Sequence, residues 1–167
     1  MNQQRYLHVA TDAVRAGAAE AGRDPDAIKI AIILHTILTD DLDRSALIGR
    51  SMAAGYYDYS PMLFAPPNLT WDGPAVEELK RQVWPDFHHT AHLESSGRLV
   101  SFLPDEAVDA FALYGPPEAI TDHIREVLNL GFPLEMIIPH PVPPSPPGGP
   151  RPDYIDTFAT KVIKRLK

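Results

Sequence analysis

The stretch FALYGPPEAITDHIREVLNLGF, residues Phe111–Phe132, decides the fold class. Its apolar start is typical of a short strand, Gly-Pro-Pro ends that strand, and a helical pattern then runs as far as Gly131. A second apolar run, Leu134–Ile138, follows directly. Strand, helix and strand at this spacing indicate a βαβ unit, and therefore parallel strands in an α/β fold.

The rest of the chain repeats the alternation. Apolar residues three or four apart predict a helix over Asn2–Ala21, and the β-branched run Ile28–Leu38 suits a strand that is covered on both faces. Helical patterns follow at Leu42–Tyr57 and, at the end of the chain, at Tyr154–Leu166. The predicted order is helix, strand, helix, irregular insertion, strand, helix, strand, helix.

The chain of 167 residues is expected to form one domain, 1–167. Inside it we expect a variable, proline-rich insertion over 58–101, with short helices over Pro74–Trp84 and His88–Glu94. Proline cannot continue a helix or donate to a central strand, so 139–152 is interpreted as an extended connector, which leads into a C-terminal helix at 153–167.

Composition excludes several classes of protein. Apolar residues make up 44% and charged residues 22%, which is ordinary for a globular protein, and no apolar run is long enough to cross a membrane. The net charge of −7 argues against nucleic-acid binding. With no cysteine and no signal-peptide pattern, we expect a cytoplasmic protein.

Three short motifs occur in an order that is known from one family. Gly115-Pro116-Pro117-Glu118 opens the helix, Leu130-Gly131-Phe132 closes it, and Met136-Ile137-Ile138-Pro139 forms the last strand. Together with the earlier Gly22-Arg23-Asp24-Pro25 turn, they resemble the second half of the luciferase-like monooxygenase superfamily, in particular its coenzyme F-420-dependent methylenetetrahydromethanopterin reductase-like members. The resemblance implies a partial (β/α)8 barrel of roughly the last three strand–helix units.

The resemblance also implies a function. The family consists of oxidoreductases that use FMN or coenzyme F-420 for hydride transfer or monooxygenation of a small-molecule substrate. The chain is therefore expected to be an enzyme of this kind, with coenzyme F-420 or FMN as cofactor, and a truncated form that is inactive alone is one version of this expectation. The alternative is a non-catalytic remnant of the family that forms an oligomer and binds a ligand or a partner.

Chain length suggests a partner. A complete (β/α)8 barrel takes about 250 residues, and three strands cannot close one. The edges of the sheet and the side chains of the barrel interior would then be exposed. We therefore expect either a homo-oligomer or association with a complementary N-terminal half-barrel.

Candidate site residues follow from the barrel geometry, because active sites in such barrels gather at the carboxyl ends of the strands. Tyr114 and Gly115 end one predicted strand, and His140 follows the next. His35 lies within the first strand, close enough to its carboxyl end to reach a ligand. These four residues are the candidates for the cofactor or substrate pocket, while the catalytic residues themselves stay open.

A metal site is not expected, but one alternative has to be named. On a helix, His88 and His92 would share a face, with the spacing of paired zinc ligands. However, the glutamate that follows the first histidine in zinc proteases is absent, since His89 occupies that position. The resembled family also uses no metal.

Overall fold

The structure is a computed structural model that describes residues 2–142 and 152–166. Its elements largely follow the order predicted from the sequence, with short 3-10 turns at Pro25–Ala27 and Pro61–Phe64 and a π-helical turn at Phe158–Ile163. The helices and strands are α1 (Asn2–Glu20), β1 (Ile30–Leu38), α2 (Leu42–Tyr59), α3 (Val76–Lys80), α4 (Leu93–Leu99), α5 (Asp105–Phe111), β2 (Leu113–Gly115), α6 (Pro117–Leu128), β3 (Leu134–Pro141), α7 (Pro152–Thr157) and α8 (Lys164–Leu166).

The three strands form one parallel sheet in the order β2-β1-β3, which confirms the predicted α/β class. The strand that comes first in the chain is therefore central, whereas consecutive barrel units would place β2 in the middle. The two long strands, β1 and β3, pair along Ile30–Thr36, and the three-residue β2 pairs only with the end of β1.

Helices pack against both faces of this sheet. On one face, Ile37 is fully buried beside Ile48 and Met52 of α2. On the other face, Leu34 and Leu38 pack on a cluster from α6 and the C-terminal helical segment, which consists of Ile120, Ile124, Phe158 and Val162. A third cluster lies away from the sheet, where α2 and α5 meet the insertion, and includes Phe64, Phe87, Val100, Leu103 and Phe111.

Proline protects the outer edge of β3. The N–H of Val142 donates to the carbonyl of Thr36 at 2.9 Å, so Val142 directs its backbone groups towards β1. Alternate residues of a strand point opposite ways, which places Pro139 and Pro141 with their nitrogens outward. Proline has no N–H, and the open edge therefore offers few donors to another strand.

Three predictions of secondary structure need correction. The helix predicted over Pro74–Trp84 is reduced to α3, and the connector predicted from residue 139 begins later, because β3 extends to Pro141. The remainder of that connector, residues 143–151, lies outside the described residues. The helix predicted over His88–Glu94 is also shorter, because α4 begins only at Leu93. At His88 the chain forms a turn instead, in which the carboxylate of Asp86 accepts the backbone N–H groups of His88 and His89 at 3.0 and 2.9 Å.

Candidate functional site

Two histidines from neighbouring strands meet in the carboxyl halves of β1 and β3. His35 of β1 is in register with His140 of β3, and their Nδ1 atoms are 3.1 Å apart. The two rings contact each other edge to face, with centroids 5.0 Å apart. Sequence analysis selected both residues separately as pocket candidates, and the structure brings them together.

Tyr56 of α2 completes this group from the opposite side. Its hydroxyl is hydrogen-bonded to Nε2 of His35. The tyrosine ring is held between two others, since it stacks on Phe111 at 5.2 Å and on His88 at 5.8 Å. His140, His35 and Tyr56 thus form a continuous line of polar contacts from an exposed ring to a half-buried hydroxyl, which we call the His–Tyr line.

Burial keeps His35 neutral. Desolvation, followed by the neighbouring charges of His140 and His88, lowers the pKa of His35 from its ordinary 6.5 to about 4. Burial also raises the pKa of Tyr56 above its ordinary value. Near neutral pH, both members of this hydrogen bond therefore carry no charge, and each ring nitrogen of His35 either donates or accepts one proton.

An apolar cleft opens beside His35 and Tyr56. Its volume is about 290 Å³, close to the lower limit of known ligand pockets. Among the described residues that line the cleft, none is a lysine or an arginine; they come from α1, β1, α2 and α5 and are Leu7, Ala10, Ile32, Ile33, Leu34, His35, Tyr56, Ala110 and Phe111.

Below the histidine pair, the same face of the sheet is uncovered. Ala31 pairs with Met136 and Ile33 with Ile138, respectively four and two residues before the pair of His35 and His140. The exposed fractions are 62% for Ile33, 55% for Met136 and 39% for Ile138. Apolar side chains rarely form a continuous exposed patch unless the patch binds something. We call these four residues the open sheet face.

The other two pocket candidates lie apart from the His–Tyr line. Tyr114 is in register with Ile37, and its hydroxyl donates to Asp109 at 2.9 Å. Gly115, with a φ of +114°, makes the turn into α6, where an added Cβ would press on Ala119. Both residues stand at the carboxyl end of β2, as expected, but neither belongs to the lining of the cleft.

The start of α6 is not built to bind an anion. Pro116 and Pro117 provide no N–H, and the carboxylate of Glu118 is paired with Arg165. A helix N-terminus binds phosphate through free N–H groups and its positive dipole, and both are weakened here. The Gly-Pro-Pro turn is therefore a structural joint between β2 and α6.

The residues that could bind a metal ion differ from the pair predicted from the sequence. His92 stands in the N-cap position of α4, so it does not share a helical face with His88. Instead, His88 lies with Asp86 and His89, and one potential ligand atom from each of these three residues lies within 4.8 Å of the others.

Residues 1–133 match the model of the luciferase-like monooxygenase family. The chain belongs to the luciferase-like monooxygenase family. Its structure is also similar to that of the coenzyme F-420-dependent tetrahydromethanopterin reductase from Methanopyrus kandleri, with a TM-score of 0.68 and 20% sequence identity. A search of curated proteins finds no match.

The structural match covers 99% of this chain but only 44% of the reductase. This confirms the predicted partial barrel, since nearly the whole chain superposes on less than half of a barrel enzyme. Membership of the luciferase-like family likewise confirms the resemblance that the turn motifs indicated, and places the chain in a family of oxidoreductases.

Sequence reasoning missed Tyr56 and Phe111 as parts of the site. Tyr56 belongs to the run Tyr56-Tyr57-Asp58-Tyr59 at the end of α2, where three tyrosines close together are a signal of an aromatic cluster. Which of them faces the sheet depends on how α2 crosses β1, and the helical period alone does not give that.

In the part of the chain that the structure describes, no helix has the length and apolar character needed to cross a membrane.

Proposed function

We propose that this chain provides the substrate side of the cofactor pocket in a flavin- or coenzyme F-420-dependent oxidoreductase. The observation that carries the proposal is the His–Tyr line at the wall of an apolar cleft, at the carboxyl end of a parallel sheet. Membership of the luciferase-like family supports the reaction class.

The cleft suits one part of such a cofactor. Its apolar walls and the aromatic ring of Phe111 fit a flat ring system, whereas a phosphate tail would find no cation among the described lining residues, and two prolines remove N–H donors from the start of α6. Only the ring end is therefore expected to contact this chain. When bound, the reduced ring supplies hydride transfer or, for a flavin, activation of oxygen.

The residues of this chain would bind the ring of the cofactor, exclude water from it and hold a proton beside it. Two arrangements satisfy the His–Tyr line: either Tyr56 donates to Nε2 of His35 and Nδ1 of His35 donates to His140, or both hydrogen bonds run in the reverse direction. A neutral His35 can thus pass a proton between the cleft and the exposed ring of His140.

A second copy of the chain is the proposed partner, and it would contact the open sheet face. This face carries no charge, and at its lower end Lys29 pairs with Glu135 at 2.8 Å, so two copies can approach without like-charge repulsion. Sheet-on-sheet packing between identical faces is a common two-fold arrangement. The complementary N-terminal half-barrel is the other occupant, and a chain that remains monomeric in solution would favour it.

A fluorescence titration of the purified chain with FMN and with coenzyme F-420 tests the proposal. We expect saturable binding of one of them, weakened in His35→Gln, while a matched change of the exposed His92 to Gln has no effect. Absence of saturable binding to either cofactor would contradict the proposal. That result would favour the second candidate function, a non-catalytic oligomer that binds a partner. The exposed side chains of the open sheet face support this second candidate.

A further inference from the structure

We propose that Asp86, His88 and His89 bind one divalent first-row transition-metal ion, such as Zn²⁺. Oδ2 of Asp86 lies 2.8 Å from Nδ1 of His89, and Oδ1 of Asp86 lies 3.2 Å from Nδ1 of His88. Two imidazole nitrogens and one carboxylate oxygen are a ligand set of catalytic zinc sites and of other transition-metal sites, whereas Ca²⁺ and Mg²⁺ prefer oxygen alone.

The turn formed by Asp86, His88 and His89 holds the ligand side chains in place. Oδ1 of Asp86 accepts the backbone N–H groups of His88 and His89, which fixes the carboxylate and leaves Oδ2 directed at the His89 ring. Both oxygens of this carboxylate therefore have fixed positions, one 3.2 Å from Nδ1 of His88 and the other 2.8 Å from Nδ1 of His89.

His88 provides the second, independent observation. Its side chain is only 10% exposed, and although Nδ1 is near enough to Asp86 for an ion pair, it has no hydrogen-bond partner of acceptable geometry among the described residues. A buried polar atom without a hydrogen bond is costly, and a bound ion or water molecule is one of its ordinary explanations. Nδ1 packs beside Gly55 of α2 and lies 3.2 Å from Oδ1 of Asp86, on the side where the three potential ligands come together.

The packing around His88 keeps its ring in this position. Gly55 of α2 lies so close that a Cβ at this position would overlap the His88 ring. Tyr56 stacks on one side of the ring, and Tyr59 contacts it edge to face at 5.2 Å. A histidine restricted in this way loses little freedom when it binds an ion.

The proposed metal site is separate from the cleft. Tyr56 connects the two, because its ring stacks on His88 and its hydroxyl is hydrogen-bonded to His35. Three protein ligands leave at least one coordination position open, which a water molecule or a substrate group can occupy. The proposal does not depend on the cofactor.

Metal titration of the tag-free, chelator-treated chain tests the proposal. Zn²⁺ is titrated against a chromogenic chelator, and Co²⁺ is followed by its visible absorption, which reports the coordination geometry. We expect one ion per chain, with affinity at least about tenfold lower in His89→Ala and in Asp86→Asn. The control His92→Ala should keep the wild-type affinity.

His89 is exposed, and its replacement should leave the fold intact, which circular dichroism can verify. Binding that His92→Ala weakens as much as His89→Ala would overturn the assignment, and so would binding that neither His89→Ala nor Asp86→Asn affects. If the wild-type chain bound no stoichiometric Zn²⁺ or Co²⁺ in these titrations, the proposal as a whole would be overturned.

Discussion

His35 and His140 are 105 residues apart in the sequence, yet their Nδ1 atoms are 3.1 Å apart in the sheet. The contact exists because β1 pairs directly with β3 and places the two residues in register. At this distance one nitrogen must donate and the other accept, so the two rings cannot both be protonated at low cost. The pair therefore links the protonation of the site to the folding of the chain.

This link predicts that stability falls in mild acid. The pKa of His35 is lowered to about 4 by burial and by His140, so between pH 6.5 and about 4 the unfolded chain binds the proton that the folded chain excludes. Stability is then complete above pH 6.5 and is lost as the pH falls through this window. Urea unfolding from pH 7 to pH 4 measures the effect, which should be smaller in His35→Gln. Parallel pH dependence in the two proteins would contradict the prediction.

Close packing between α2 and α4 predicts that Gly97→Ala is destabilising. A Cβ at Gly97 would overlap the backbone carbonyl of Leu47, which cannot move aside as a side chain can. We expect a loss of about 1–3 kcal/mol in the free energy of unfolding. Gly17→Ala in α1 is the matched control, because nothing lies within 4 Å of the added Cβ. It should stabilise α1 by up to about 1 kcal/mol, and equal effects of the two changes would show that the helices do not cross in this way.

The open sheet face predicts self-association. Replacing Ile33 by Ser should shift a dimer towards the monomer in size-exclusion chromatography with light scattering, since it removes apolar area from the proposed contact. Leu128→Ser, on the exposed side of α6, removes a similar side chain elsewhere and should leave the mass unchanged. A wild-type chain that is monomeric at every concentration would exclude the second copy as the occupant.

The hydrogen bond from Tyr114 to Asp109 predicts unusual behaviour in alkali. Burial, together with this bond and the charge of Asp109, raises the pKa of Tyr114 to about 12. The folded chain keeps the phenol proton between pH 10 and about 12, whereas the unfolded chain releases it, so this interaction stabilises the fold below pH 10 and is lost above. Ultraviolet titration of tyrosinate should lack its latest step in Tyr114→Phe. Loss of an earlier step would mean that the hydroxyl is free.

The sequence predicted the parallel α/β fold and the family because periodicity and turn motifs are local properties of the chain. It also selected His35 and His140, which the structure brings into contact; their role in a pocket stays a prediction. The central position of β1 was not predictable, since it depends on the pairing of distant strands. The same holds for Tyr56, which reaches His35 only through the packing of α2, and for the turn at His88, where the side chain of Asp86 replaces the expected helix.

The imidazole resonances of His35 and His140, followed by nuclear magnetic resonance during titration with FMN and with coenzyme F-420, show directly whether the cofactor binds at the His–Tyr line. We expect both rings to shift together with one of the cofactors, along the same saturation curve as the fluorescence change. Saturable binding that leaves both histidine rings unmoved would contradict it, because the cofactor would then bind away from the His–Tyr line.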